Sequence, residues 1–118
     1  MVVTPECTHG PSGALKNPID SLHPEWNTTA AGCARYGGAD GACVVVRLRL
    51  VIGELLVADV RAQVLLSLIT DFEHLSTCTP APRKEWDVHT MLDQVIAWSR
   101  ALTTVRSQSH AEAVGARS

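Results

Sequence analysis

The apolar residues of this chain change period as it runs, from two to about 3.6 and back again, and this alternation constrains the fold most. Met1-Val2-Val3-Thr4 is a short apolar run closed by Pro5, which reads as the tail of a buried strand. Thr8 to Gly13 has loop chemistry, with Ser12 as a candidate N-cap. Leu15, Ile19 and Leu22 then recur at helical spacing and predict a short amphipathic helix over 12–23. Pro18 falls inside it, where it removes a hydrogen bond and costs up to about 3 kcal/mol. Thr28 to Tyr36 predicts a second strand, closed by Gly37-Gly38-Ala39-Asp40-Gly41.

The next stretch supports two readings. Val44 to Leu50 alternates like a strand and is β-branched at its start, yet Val45, Leu48, Ile52 and Leu55 also fit one face of a helix. Val60, Ala62, Val64, Leu66 and Leu68 alternate with mostly polar residues and give the clearest strand. A loop rich in Thr, Pro and charge is expected from Thr70 to Trp86. Asp87 is placed to cap a last helix with Val88, Met91, Leu92, Val95, Ile96, Ser99 and Leu102 on its apolar face. Residues 107–118 are small and polar and read as a frayed, disordered tail, leaving one domain over 1–106.

Strand, helix, strand, helix, strand, helix argues for an α/β architecture with a parallel sheet. Right-handed crossovers then put the strand-to-helix loops, Pro5 to Gly13 and Tyr36 to Gly41, on one rim, where such sheets bind ligands. A net charge of −2 offers no field for nucleic acid or an anionic membrane. No apolar run approaches the roughly 20 residues of a spanning helix, and no signal peptide opens the chain, so a cytoplasmic protein is expected. Cys7, Cys33, Cys43 and Cys78, like the five histidines, lack ligand spacing. No metal site is expected from them; they read as small apolar cysteines and surface histidines.

Several segments, in order, resemble one family. Thr4-Pro5-Glu6, then Ser12-Gly13-Ala14-Leu15-Lys16-Asn17 and Ile19-Asp20, are similar to the flavin-binding segment of NADPH-dependent FMN reductases. Glu25-Trp26-Asn27, Ala30-Ala31-Gly32 and Tyr36-Gly37-Gly38 continue the likeness. Leu48-Arg49, Val60-Arg61, Thr70-Asp71-Phe72-Glu73 and Met91-Leu92-Asp93-Gln94 extend it to about residue 106. The resemblance implies a flavodoxin-like three-layer α/β/α fold with strand order 2-1-3-4-5, and a helix rather than a strand over 42–55. It also implies FMN as cofactor, a hydride from NADPH, and electrons passed to a flavin, quinone or similar acceptor. A homodimer is the implied assembly. Pro5, Glu6, Cys7 and Thr8 would lie along one side of the flavin, with Tyr36, Gly37 and Gly38 on the other. No catalytic side chain is implied, because the flavin itself carries the hydride chemistry.

Four departures from that pattern bear on function. The chain starts at what corresponds to the third strand of the family, so two strands, two helices and the loop cradling the FMN phosphate are expected to be missing. Three charged hydrogen bonds lost with that loop would cost about 5 kcal/mol, more than about a thousandfold in affinity. Cys7 and Thr8 stand where the family has tyrosine and asparagine, Arg35 replaces a small serine, and Pro18 replaces an alanine. Residues 1–4 would form an unpaired apolar sheet edge. Two readings follow: an FMN reductase, or a non-catalytic remnant or complementing fragment that does not bind FMN alone.

Overall fold

The computed structural model describes residues 1–5, 12–38 and 42–117. β-Branched Val2, Val3 and Thr4 open strand β1 (Val2–Pro5). Helix α1 (Gly13–Ser21) starts at Ser12, whose hydroxyl accepts from the Leu15 N–H at 3.3 Å. Pro18 lies within α1 as the sequence predicts, and the helix ends at Ser21, ahead of the one-turn α2 (His23–Trp26). Strand β2 (Thr29–Gly37), helix α3 (Ala42–Glu54) and strand β3 (Val57–Ser67) follow. The chain then makes a small hairpin, β4 (Phe72–Glu73) with β5 (Thr77–Cys78), before the long helix α4 (Pro82–Ala116).

The sheet has the order β1-β2-β3 with both pairings parallel. β2 is central and covered on both faces, which its run of small residues allows. On one face α1 and α3 enclose Ile19, Cys33, Val44, Leu48, Ile52 and Val57. On the other, Met91 of α4 packs over Ala34, Val60 and Val64. The burial of Val44, Val45, Leu48, Ile52 and Leu55 follows a helical period and settles the ambiguous stretch as helix. Among the described residues nothing pairs with the outer edge of β1, where Val3 is half-exposed and Thr4 is buried. No described helix is long and apolar enough to cross a membrane.

The register of β2 against β3 shifts between Ala31, opposite Asp59, and Cys33, opposite Gln63. Such a bulge frees ladder groups that need other partners. Arg49 of α3 supplies them on one side, donating through Nη2 to the Val60 and Arg61 carbonyls at 3.2 Å each. Gln94 of α4 supplies them on the other, its Oε1 accepting from the Ala62 N–H at 3.0 Å. Arg49, Arg61 and Gln94 belong to segments singled out by resemblance, and here they hold the irregular part of the sheet.

Cys33 sits beside that bulge, fully buried, with its thiol donating to Asp59 Oδ1 at 3.9 Å. Burial, reinforced by the Asp59 carboxylate, pushes the thiol up to about 11. Burial also raises the Asp59 carboxyl, against the pull of Arg49, which pairs with it. A raised folded-state value means the Cys33 contribution is full below its ordinary 9.0 and is lost as pH rises through about 11. The melting temperature of the parent should therefore fall more steeply between those pH values than that of Cys33→Ala. Parallel curves would show that Cys33 titrates alike in the folded and unfolded chain, so that burial does not raise its thiol.

Two elements differ from the sequence reading. The stretch 70–86 is not a plain loop: it holds the β4–β5 hairpin and the first turn of α4. The helix begins at Pro82 with Ala81 as N-cap, not at Asp87, because proline at the first helical position lacks only an N–H that would be orphaned anyway. α4 also keeps helical backbone through Ala116. The residues from Thr103 to Arg117 are exposed, so mostly local bonds support them, with Ser107 and Ser109 donating to carbonyls four residues back and Arg106 reaching the Thr28 carbonyl.

Candidate functional site

The carboxyl ends of the three strands form one rim, and the register aligns them closely. Pro5 faces Tyr36 across the β1–β2 pairing, and Tyr36 faces Leu66 across β2–β3. Gly37 continues the row opposite Ser67, and its carbonyl accepts from the Leu68 N–H at 3.0 Å. Of the residues the sequence singles out, Pro5, Tyr36, Gly37 and Gly38 are thus neighbours at one end of the sheet. Glu6, Cys7 and Thr8 lie outside the described residues.

Tyr36 is half-buried, and its ring lies 6.4 Å from that of Phe72, tilted by 44°. That separation suits an aromatic pair and anchors the hairpin beside the end of β2. Gly38 is exposed, and a Cβ built on it would meet nothing within 4 Å. Among the described residues, no side chain stands in front of Gly38. Pro5 likewise adds a flat, apolar ring at the end of β1 and has no N–H of its own.

Successive strand residues face opposite sides of a sheet, so Arg35 projects away from the Tyr36 side. Arg35 is 9% exposed, between Thr4 and Leu65 in register. Beside it Asp71, 2% exposed, closes the turn after β3. Its Oδ2 accepts from the Ser67 N–H at 2.8 Å and stands 3.8 Å from Lys84 Nζ. Lys84 also donates to the Leu65 carbonyl. Arg35, Ser67, Thr70, Asp71 and Lys84 share a polar cavity of about 200 Å³.

Sequence reasoning did not assign Lys84 or Ser67 to the rim. Lys84 fell in the stretch expected as loop; the Ala81-Pro82 pair was the available signal for an earlier helix start, which puts Lys84 in the first turn. Asp71 lay in a resemblance segment, but its bond to Ser67 depends on how the chain turns after β3.

A three-stranded parallel sheet with helices on both faces is a flavodoxin-like α/β arrangement. A family model for NADPH-dependent FMN reductase matches residues 1–71, and the chain belongs to that family. The segment Met91 to Gln94 lies beyond the match. No curated protein is matched.

The rim suits a flat ring. The residues aligned there are a proline, a tyrosine and two glycines, and the open face at Gly38 leaves backbone N–H and C=O groups accessible to a ring edge.

Proposed function

We propose that this chain binds FMN at the rim formed by Pro5, Tyr36, Gly37 and Gly38 and works as an NAD(P)H-dependent reductase. The observation that carries the reading is the alignment of Pro5 and Tyr36 in one register beside the open backbone at Gly38. Bound there, the flavin supplies hydride transfer from a nicotinamide nucleotide and delivery of electrons to a flavin, quinone or similar acceptor. The protein binds and orients. Pro5 offers an apolar surface to the ring, and the Phe72 contact holds Tyr36 in place. The glycines allow close approach of backbone, and Glu6, Cys7 and Thr8 complete the site along the chain between β1 and α1. The working unit runs over 1–106, ending where Arg106 Nη1 donates to the Thr28 carbonyl at 3.1 Å. A cytoplasmic homodimer is the setting that the family supports.

A second reading has its own observation, the unpartnered outer edge of β1 with Val3 half-exposed. In that reading the chain is a non-catalytic or complementing form that needs another strand along β1 before it holds FMN.

Titrating the purified chain with FMN and following flavin fluorescence separates the two. Saturable quenching in the micromolar range is the expected result, followed by FMN-dependent oxidation of NADPH. Absence of quenching at about a hundredfold higher FMN, a loss of about 2.7 kcal/mol or more, would overturn the first reading and leave the second.

A further inference from the structure

The polar cavity beside β3 reaches Gly38 of the flat rim but differs from the rim in chemistry. It brings together two cations, Arg35 and Lys84, and one carboxylate, Asp71. Asp71 is already engaged by Lys84 and by the Ser67 N–H. Arg35 is left over. It is nine-tenths buried, its Nε has no hydrogen-bond partner, and no ion pair to it exists among the described residues. A guanidinium withdrawn from water without a counter-ion is costly, and such a group in a folded protein calls for a partner that the described residues do not provide.

We propose that this cavity is an oxyanion site in which Arg35 and Lys84 hold a phosphate group. The planar guanidinium offers parallel N–H donors matched to two phosphate oxygens, and the ammonium adds a second point charge. Thr70, on the cavity wall, brings a hydroxyl able to donate to a third oxygen. At about 200 Å³ the cavity is smaller than the roughly 300 Å³ at which pockets for whole organic ligands begin. It takes the phosphate alone, either as the free ion or as one arm of a nucleotide whose remainder lies outside.

The test is calorimetric titration of the full chain with inorganic phosphate and, separately, with adenosine 2′,5′-bisphosphate, at constant ionic strength. Saturable phosphate binding is expected, weakened at least about tenfold in Arg35→Gln and partly restored in Arg35→Lys. Tighter binding of the bisphosphate, lost in the same variant, assigns the site to a nucleotide arm; equal affinities assign it to the free ion. The Nε–H resonance of Arg35 in the unaltered chain gives a readout that does not depend on a variant folding. It should shift on adding phosphate and stay fixed on adding chloride. Heat-silent titrations with an unmoved resonance, or binding that Arg35→Gln leaves intact, would overturn the site.

Discussion

An Asp71→Ala chain should be less stable than the parent by on the order of 3 kcal/mol, seen as a lower urea midpoint at unchanged slope. Asp71 is almost wholly buried, and its carboxylate holds two partners. Losing it strands the Ser67 N–H, now bonded at 2.8 Å, and an orphaned buried donor costs about 1–3 kcal/mol. It also removes the carboxylate with which Lys84 pairs, 3.8 Å away. Breaking a buried pair costs about 3–5 kcal/mol, but Lys84 retains the Leu65 carbonyl and a 17% exposed side chain, which places this contribution at the low end. The two losses share one residue and do not simply add.

Asp71→Asn keeps an acceptor for Ser67 and gives up only the charge, so about half of the loss is expected. The backbone of Asp71 works in the same turn: its N–H donates to the Ser67 carbonyl at 2.8 Å, and its carbonyl accepts from the Thr79 N–H at 2.9 Å. A loss below about 1 kcal/mol in the alanine variant would mean that these backbone bonds hold the hairpin without the carboxylate.

What the sequence made legible is what local pattern can carry. β2 and β3 follow from their apolar runs, and the Ser12 cap and the Leu15–Ile19 spacing place α1 despite Pro18. α3 was different: Val44 to Val46 favour a strand locally, and packing against β2 and β3 overrides that preference. The start of α4 was displaced because Asp87 is a good cap residue and Ala81 is not, although Pro82 marks the true first turn. At the rim, Pro5 and Tyr36-Gly37-Gly38 could be named from motif order, but that Pro5 and Tyr36 are partners is a matter of register. The Arg35 cavity was beyond reach for a physical reason. Whether an arginine at a strand end crowds a ring or is buried behind it depends on the face the pleat assigns it, and its neighbours Asp71 and Lys84 arrive from 36 and 49 residues along the chain.

The largest packing effect should come from the contact between α4 and β2. Met91 is fully buried, and its side chain lies directly over Gly32. A Cβ at residue 32 would stand 2.8 Å from Met91 Cγ, 2.9 Å from its Sδ and 3.0 Å from Val95 Cγ2. Glycine is needed there for the helix to approach the sheet so closely. Met91→Ala should cost about 2–5 kcal/mol by leaving a cavity between Ala34, Val60 and Val64. Gly32→Ala should cost about 1–3 kcal/mol by overpacking, moderated by the flexibility of the methionine. The double variant is the decisive chain. Its added methyl enters the space that Met91 vacates, so it should be more stable than the sum of the single losses predicts, by about 0.5–3 kcal/mol. Urea melts of the four chains give the coupling directly. Additivity within about 0.5 kcal/mol would mean that residues 32 and 91 do not touch in solution, and that α4 lies on the sheet differently.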